Sequence, residues 1–472
     1  MTLSLPKIIQ GGMGVGVSSA QLANTVSRKG QLGVVSGTAL GLTFARRLMQ
    51  KGNEAYLEAM KHFPFKKVVE RILARFHLKT EKDPFKMVEM PTIHPTEDLN
   101  ELIVVANFVE VHLAKQGHHG VVGINFLEKI QFPTLASIYG AILAGVDYIL
   151  MGAGIPHRIP DVIKKLSKHE DATLPIKVAN EFENDIEQSV FSPIAFAKDE
   201  ALPLLKKPQF LAIVGSHTLA TYLMKSEFGS PDGFVVELPI AGGHNAPPRG
   251  RYPLTDSGEP IYGDRDIVDF NALKAIGMPF WVAGGYGNHE GLKKALALGA
   301  EGIQVGTAFA FSNESGFESQ LKQRVLKQVV SGNIRVKTDI KASPTGFPFK
   351  VASVKGTLSE EETYLARKRV CDLGYLREAY RKENGSIGYR CPSEPVEDYV
   401  RKGGKVEDTI GRKCLCNGLV AGIGLGQKRK DGQDELPLVT SGDDLLNLVP
   451  LIEPNTFSYS ATDVLNYILN EA

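Results

Sequence analysis

The sequence is poor in the features that mark disulfide-rich, membrane and nucleic-acid-binding proteins. Only four cysteines occur in 472 residues, all after residue 370, which argues against a disulfide framework for most of the chain. No segment approaches the roughly 18 uninterrupted apolar residues of a membrane-spanning helix. Lys and Arg number 54, and Asp and Glu 53, a net charge of +1. We therefore expect no nucleic-acid or membrane partner. The first residues carry no basic-then-apolar signal region, so the sequence predicts a cytoplasmic location.

The chain alternates repeatedly between short segments with an apolar strand pattern and segments with a helical pattern. Eight such strands are predicted at about 7–13, 32–37, 120–127, 146–152, 210–216, 233–238, 279–283 and 302–305. Near-continuous apolar strands are typical of parallel sheets covered on both faces. The pattern predicts an α/β fold, a TIM-type (β/α)8 barrel spanning residues 1–335. A doubly wound open sheet is less favoured, because the glycine-rich signal lies at the last strands rather than the first.

The remaining segments are predicted as additions to this barrel. Residues of about 39–115 and 165–207 interrupt the alternation and are interpreted as insertions, the first of them helical. Residues 336–472, with polar helices, Pro/Gly-rich turns and all the cysteines, are predicted to form a C-terminal cap or lid. The cysteines lack the paired C-x-x-C spacing of common zinc sites. The sequence therefore favours reduced thiols, and no metal is predicted.

The most informative stretch runs from Phe280 to Phe309. Two apolar strands end there in glycine, at Gly284-Gly285 and at Gly306, with one helix between them. Glycine lets the backbone approach a ligand closely and leaves N–H groups free to face an anion. In a (β/α)8 barrel, the loops after the last two strands form the usual phosphate site. The stretch therefore predicts binding of a phosphorylated ligand.

A histidine follows the sixth predicted strand, in the segment Ala241-Gly-Gly-His244. This position lies at the C-terminal mouth of the predicted barrel, with two glycines that leave space for a flat ligand. A histidine there can act as a general base near neutral pH. The alternative is a histidine that only hydrogen-bonds the loop backbone, and the local sequence leaves both interpretations open.

Five short motifs occur in barrel order. They are Gly11-Gly-Met-Gly, Gly123-Ile-Asn-Phe, Ala241-Gly-Gly-His, Ala283-Gly-Gly and Gln304-Val-Gly-Thr. Each alone is weak, but together, over roughly residues 7–330, they resemble the nitronate monooxygenase family, formerly called 2-nitropropane dioxygenases. The FMN-dependent enoyl-ACP reductases, and related flavoprotein reductases of polyketide and polyunsaturated fatty-acid synthesis, resemble it too.

The resemblance implies non-covalently bound FMN. It implies flavin contacts at Gly12, Met13, Asn125, Gly242 and Gly243, and phosphate contacts at Gly284, Gly285, Gly306 and Thr307. His244 matches the family histidine that takes the α-proton of a nitroalkane. The leading functional hypothesis is therefore an FMN-dependent oxidoreductase that oxidises nitronates or nitroalkanes, small-molecule substrates, with O2.

Departures from the family pattern keep other functions open. Pro239-Ile240 precede the Ala-Gly-Gly-His motif where an acidic residue is usual, and Glu237 is out of register. The insertions and the long C-terminal region make the synthase-associated reductases a rival. These would reduce an enoyl thioester, borne by an acyl carrier, with NAD(P)H as electron donor. A non-catalytic flavin-binding scaffold, a barrel that binds another phosphorylated metabolite, and a homodimer also stay open.

Overall fold

The computed structural model describes residues 5–76, 84–179, 186–429 and 432–470. Its strands are β1 (Ile8–Gln10), β2 (Gly33–Ser36), β3 (Val122–Leu127), β4 (Tyr148–Gly152), β5 (Ala172–Pro175), β6 (Val178–Ala179), β7 (Gln188–Phe191), β8 (Gln209–Val214), β9 (Gly233–Glu237), β10 (Phe280–Ala283), β11 (Gly302–Val305), β12 (Val336–Asp339), β13 (Phe349–Ala352), β14 (Glu378–Arg381) and β15 (Ile387–Arg390).

The helices are α1 (Ala20–Arg28), α2 (Leu40–Leu48), α3 (Glu54–Met60), α4 (Lys66–Arg75), α5 (Glu97–Lys115), α6 (Thr134–Leu143), α7 (Ile159–Leu166), α8 (Pro193–Ala197), α9 (His217–Met224), α10 (Phe270–Ala275), α11 (His289–Ala297), α12 (Thr307–Ala310), α13 (Ser319–Val330), α14 (Glu361–Ala366), α15 (Val396–Arg401), α16 (Leu415–Gly422) and α17 (Ala461–Leu469). Short 3-10 turns lie at Asp264–Asp266, Val406–Thr409 and Asp443–Leu451. Within the described ranges, none of the helices has the length and apolar character needed to cross a bilayer.

Eight parallel strands form the barrel, in the order β1-β11-β10-β9-β8-β4-β3-β2. A parallel bridge between Ile9 and Leu32 joins the two ends of this sheet. The Leu32 N–H donates to the Ile8 carbonyl at 3.0 Å, and the Gln10 N–H donates to the Leu32 carbonyl at 2.9 Å. The predicted (β/α)8 barrel is therefore confirmed.

Alternation along the strands divides the apolar side chains between two cores. Val34, Leu150, Leu211 and Val235 belong to a buried cluster inside the barrel, while alternate positions of the same strands pack outward against the helices. Trp281 lies in the inner cluster, and its indole N–H donates to the Pro6 carbonyl at 2.7 Å. This bond satisfies the one polar atom of a side chain that is only 1% exposed.

Local sequence signals determine where the helices begin. The Ser19 hydroxyl accepts the Leu22 N–H at 3.1 Å and caps α1. Thr96 caps α5 in the same way, and Glu97 and Asp98 follow in its first turn. Acidic side chains there interact favourably with the positive end of the helix dipole.

The segments outside the eight strand–helix units have structure of their own. Helices α2 to α5 lie between β2 and β3, and β5 pairs antiparallel with β7. The two-residue strand β6 joins β14 of the C-terminal region. Helix α17 packs against α1 and α11, so the end of the chain contributes to the outer layer of the barrel. The proposed division of the chain at residues 335 and 336 remains a prediction.

Gly302 at the start of β11 provides a test of barrel packing. A Cβ atom added there would lie 1.9 Å from the Lys7 carbonyl oxygen of the neighbouring strand segment. We expect Gly302→Ala to lower the free energy of unfolding by about 1–3 kcal/mol, because backbone must move to relieve the overlap. Denaturant unfolding measures this. Gly263→Ala is the matched control, because an added Cβ meets nothing within 4 Å; equal losses in both variants would contradict the packing argument.

Candidate active site

A large cleft opens at the C-terminal edge of the barrel strands. It encloses about 1580 Å³ of empty space, including the part open to solvent. The residues that the sequence assigned to the site all line it, namely Gly12, Met13, Asn125, Gly242, Gly243, His244, Gly284, Gly285, Gly306 and Thr307. The structure thus brings these residues together, while their individual roles remain proposals.

The loop after β1 forms one part of the cleft floor. The Met13 N–H donates to the Ser18 hydroxyl at 2.8 Å, and that hydroxyl donates to the Gly11 carbonyl at 2.7 Å. A Cβ on Gly12 would lie 2.1 Å from the Cβ of Asn125. Only glycine therefore lets this loop lie directly against the end of β3.

The loops after β10 and β11 form the end of the floor that the sequence assigned to phosphate. Gly284 and Gly285 have φ values of +95° and +83°, the left-handed region that glycine adopts without strain. A Cβ on Gly306 would approach nothing closer than the Met13 sulfur, at 3.7 Å. The space beside Gly306 is therefore open toward the cleft.

A segment of the C-terminal region lies over this end of the floor. The Thr307 hydroxyl donates to Asp444 Oδ1 at 2.7 Å, and the Gly442 N–H donates to the Thr307 oxygen at 3.1 Å. Burial raises the pKa of the Asp444 carboxyl, against the opposing effect of the Thr307 hydrogen bond. Sequence reasoning missed Asp444, which is 137 residues from Thr307. No local pattern marks it.

His244 makes a side-chain hydrogen bond rather than only backbone contacts. Its Nε2 lies 2.7 Å from the Ser343 hydroxyl, and its ring lies edge-on to Phe349 with centroids 4.9 Å apart. Burial, with a smaller effect of the Lys129 cation, holds the pKa of His244 well below its usual value. The imidazole is therefore neutral near pH 7, able to accept a proton but a weak base.

Glu237 and Lys129 are further titratable groups at the cleft. Glu237 ends β9 and lines the cleft, and burial raises its pKa to about 7 against the opposing effect of Lys129. The Lys129 Nζ is buried without a hydrogen-bond partner, 3.3 Å from the centroid of the Phe347 ring. Burial lowers the pKa of Lys129 to about 7. Sequence reasoning assigned neither residue to the site. The position of Glu237 at the end of a strand is a signal that could have identified it, and nothing in the sequence marks Lys129.

The C-terminal region supplies an apolar wall of the cleft. The residues of this wall are Leu373, Tyr375, Leu376, Leu415, Cys416, Leu419 and Val420. None of the described residues that line the cleft is Lys or Arg. Any anionic group bound here must therefore rely on backbone N–H groups, hydroxyls and helix ends.

Several features of the cleft floor bear on whether the residues present fit FMN. Gln304 Oε1 and the Ser441 hydroxyl are buried without hydrogen-bond partners, and both residues line the cleft. Buried polar atoms without partners are costly, which makes them natural contacts for a polar ligand. The Thr307 and Ser441 hydroxyls and the backbone at Gly306 suit a phosphate, whereas the Asp444 carboxylate opposes one. On balance the residues fit FMN.

All four cysteines meet around a second, smaller cavity. Cys371, Cys391, Cys414 and Cys416 line it, and Cys416 also lines the main cleft. The thiols are free, and those of Cys371 and Cys391 are hydrogen-bonded to each other. In the described part of the chain, no group of three or more His, Cys, Asp or Glu side chains is arranged to hold a metal ion. Reduced thiols remain the sequence-based prediction.

Comparison with known proteins gives partial matches to nitronate monooxygenases. A family model described as nitronate monooxygenase matches residues 162–346. A probable nitronate monooxygenase of Bacillus subtilis is 34% identical over 129 residues, 27% of this chain and 35% of that protein. Its counterpart in Staphylococcus saprophyticus is 33% identical over 123 residues, 26% of this chain and 33% of that protein. The match thus spans about a third of the length of these relatives.

Solved structures give broader but weaker likenesses. FabK from Thermotoga maritima aligns over 99% of this chain and 94% of its own, with 15% identity and a TM-score of 0.49. A nitroalkane oxidase from Streptomyces ansochromogenes aligns over 99% and 96%, with 15% identity and a TM-score of 0.45. The resemblance to the nitronate monooxygenase family that the motifs indicate is confirmed by the family model and the curated relatives.

Proposed function

We propose that this protein is an FMN-dependent oxidoreductase that reduces an enoyl thioester, with NAD(P)H as electron donor. The observation that carries the proposal is the lining of the cleft, which combines a glycine-rich floor with an apolar wall and, among the described residues, includes no lysine or arginine. Such a cleft suits a flat cofactor beneath a neutral substrate that bears an apolar chain.

Backbone groups and hydroxyl groups of the chain would both contribute to binding the cofactor. Gly12 and Asn125 would lie beside the ring, and Gly306, Thr307 and Ser441 would hold the phosphate. FMN, when bound, accepts a hydride from NAD(P)H and passes it to an activated alkene. The protein's part is to orient the substrate over the floor and to exclude water with the apolar wall.

The charged groups at the cleft favour one candidate substrate over the other. Glu237 and Asp444 line the cleft, and Lys129, the cation that acts on Glu237, does not line it and has its Nζ buried. A nitronate anion would leave water for a site without an exposed cation, which is unfavourable. A neutral enoyl thioester avoids that penalty, and its acyl chain can contact Leu376 and Leu419.

Oxidation of nitroalkanes or nitronates is the second candidate, favoured by the match of residues 162–346 to the nitronate monooxygenase model. In this reaction the neutral imidazole of His244 would take the α-proton of a nitroalkane. Its hydrogen bond to Ser343 would orient the ring. A preformed nitronate would not need this base.

The purified protein tests the proposal directly. We expect a yellow protein that releases FMN on denaturation, is bleached by NAD(P)H without oxygen, and regains its colour when crotonyl-CoA is added. Oxygen consumption that depends on an added nitronate, together with no recovery of colour on addition of the thioester, would transfer the assignment to the second candidate. A colourless protein that does not take up FMN would overturn both.

The open space beside Gly306 leads to a prediction about cofactor binding. We expect Gly306→Asp to weaken FMN binding at least tenfold, because a carboxylate beside the phosphate adds like-charge repulsion. Fluorescence titration of the apoprotein with FMN measures the affinity. The melting temperature of the variant apoprotein should remain near that of the wild type, since an added Cβ clashes with nothing.

Two control variants test the interpretation of the Gly306→Asp result. Gly306→Ala adds a Cβ without charge and should retain most of the affinity. Asp444→Asn should act in the opposite direction and strengthen FMN binding, because it removes the carboxylate that contacts Thr307. Unchanged affinity in all three variants would remove this end of the cleft from the cofactor site.

His244→Asn tests the base required by the second candidate. The variant should keep FMN but lose turnover of a neutral nitroalkane by roughly 10²–10⁴-fold, the usual effect of losing general-base catalysis. Turnover of the preformed nitronate should fall much less, because its proton is already gone. Equal losses on both forms would mean that His244 positions the substrate or the cofactor instead.

A further inference from the structure

Enoyl reduction requires a proton donor as well as a hydride, and the cleft holds a group suited to that task. Glu237 is the last residue of β9 and lines the cleft at the barrel mouth. Lys129, the cation that interacts electrostatically with Glu237, comes from the loop after β3, and its Nζ is buried over the Phe347 ring without a hydrogen-bond partner. A buried amine that makes no hydrogen bond is costly for stability alone, which points to a functional arrangement.

Three other titratable groups of the described residues, His244, Tyr262 and Glu128, interact with Glu237 or Lys129. His244 follows β9, and Tyr262 approaches Glu237 from the loop that precedes α10; both interact electrostatically with the pair. Glu128 faces Lys129 from the same loop but does not line the cleft. Burial dominates the pKa of every one of these groups, and Lys129 is the cation that opposes it at Glu237.

We propose that Glu237 donates the proton that completes reduction of the enoyl thioester, and that Lys129 is a positioning residue that sets the charge of Glu237. This rests on the proposed reductase function. Hydride from NAD(P)H, delivered through the cofactor, forms the Cβ–H bond, and the alkene electron pair moves to Cα as an enolate. The Glu237 O–H bond then breaks as the Cα–H bond forms. The carboxylate left behind regains its proton from water.

The protonation states favour Glu237 over His244 as the donor. A carboxyl with a pKa of about 7 is substantially protonated at neutral pH, so it has a proton to give. The pKa of His244 lies well below its usual value, so its cationic form is scarce there. Proton donation by Glu237 should weaken as the pH rises through about 7, because the carboxyl ionises.

Separating the two half-reactions tests this assignment. In Glu237→Gln holoenzyme, bleaching by NAD(P)H should proceed at the wild-type rate, because that step takes no proton from Glu237. Reoxidation by crotonyl-CoA should slow by roughly 10²–10⁴-fold, and its decline above neutral pH should disappear. Reoxidation by O2 should be unaffected, which shows that the bound cofactor is intact.

Two further variants distinguish proton donation from a general effect on the loop. Glu128→Gln removes the other carboxyl that faces Lys129 and should leave reoxidation by crotonyl-CoA within about threefold of wild type, since Glu128 does not line the cleft. Lys129→Met removes the cation that lowers the pKa of Glu237, so the decline in rate should move to higher pH. Lys129→Arg should restore the wild-type profile.

A measurement without turnover accompanies the kinetics. Infrared titration of the wild-type protein should show a protonated carboxyl that ionises near neutral pH, and Glu237→Gln should lack this signal. Wild-type rates and pH dependence in Glu237→Gln would overturn the inference while leaving the reductase function in place. A wild-type protein that reduces no enoyl thioester would overturn the reductase function, and the proton-donor assignment with it.

Discussion

Close approach of backbone to backbone, possible only where no side chain intervenes, is the constraint on which the cleft depends. A Cβ on Gly12 would overlap Asn125 at the end of β3, and a Cβ on Gly242 would lie 2.8 Å from the Ser441 carbonyl carbon. The first contact presses the loop after β1 against the sheet. The second presses the loop after β9 against the C-terminal region. Together these close approaches determine the positions of two loops that line the cleft.

The C-terminal region completes the site by holding the loop after β9 from two directions. The Lys350 N–H donates to the Gly243 carbonyl at 2.9 Å, and the Gly243 N–H donates to the Thr440 hydroxyl at 2.9 Å. These hydrogen bonds connect the loop that carries His244 to segments about 100 and 200 residues later in the chain. The same region provides the apolar wall and Asp444, so it shapes the cleft.

Burial that outweighs the effect of the nearby cations gives the cleft its electrostatic character. The carboxyl of Glu237 and the amine of Lys129 have pKa values displaced from opposite sides toward about 7, and His244 is held neutral. Enclosure by apolar side chains disfavours the charged form of each group, which explains why all three shift. A site of this kind exchanges protons near neutral pH more readily than it neutralises an anion.

The sequence by itself determined the barrel and its floor. Continuous apolar strands, helix caps such as Ser19 and glycines at strand ends are local signals, and because parallel strands end at one edge, the ten predicted residues had to meet there. Only the tertiary structure decided the wall, the contact of Asp444 with Thr307 and the burial of Lys129 beside Glu237. These depend on contacts between segments far apart in the chain. The pKa of each side chain depends on the residues that bury it, and these come from distant parts of the chain. A local sequence pattern therefore cannot predict it.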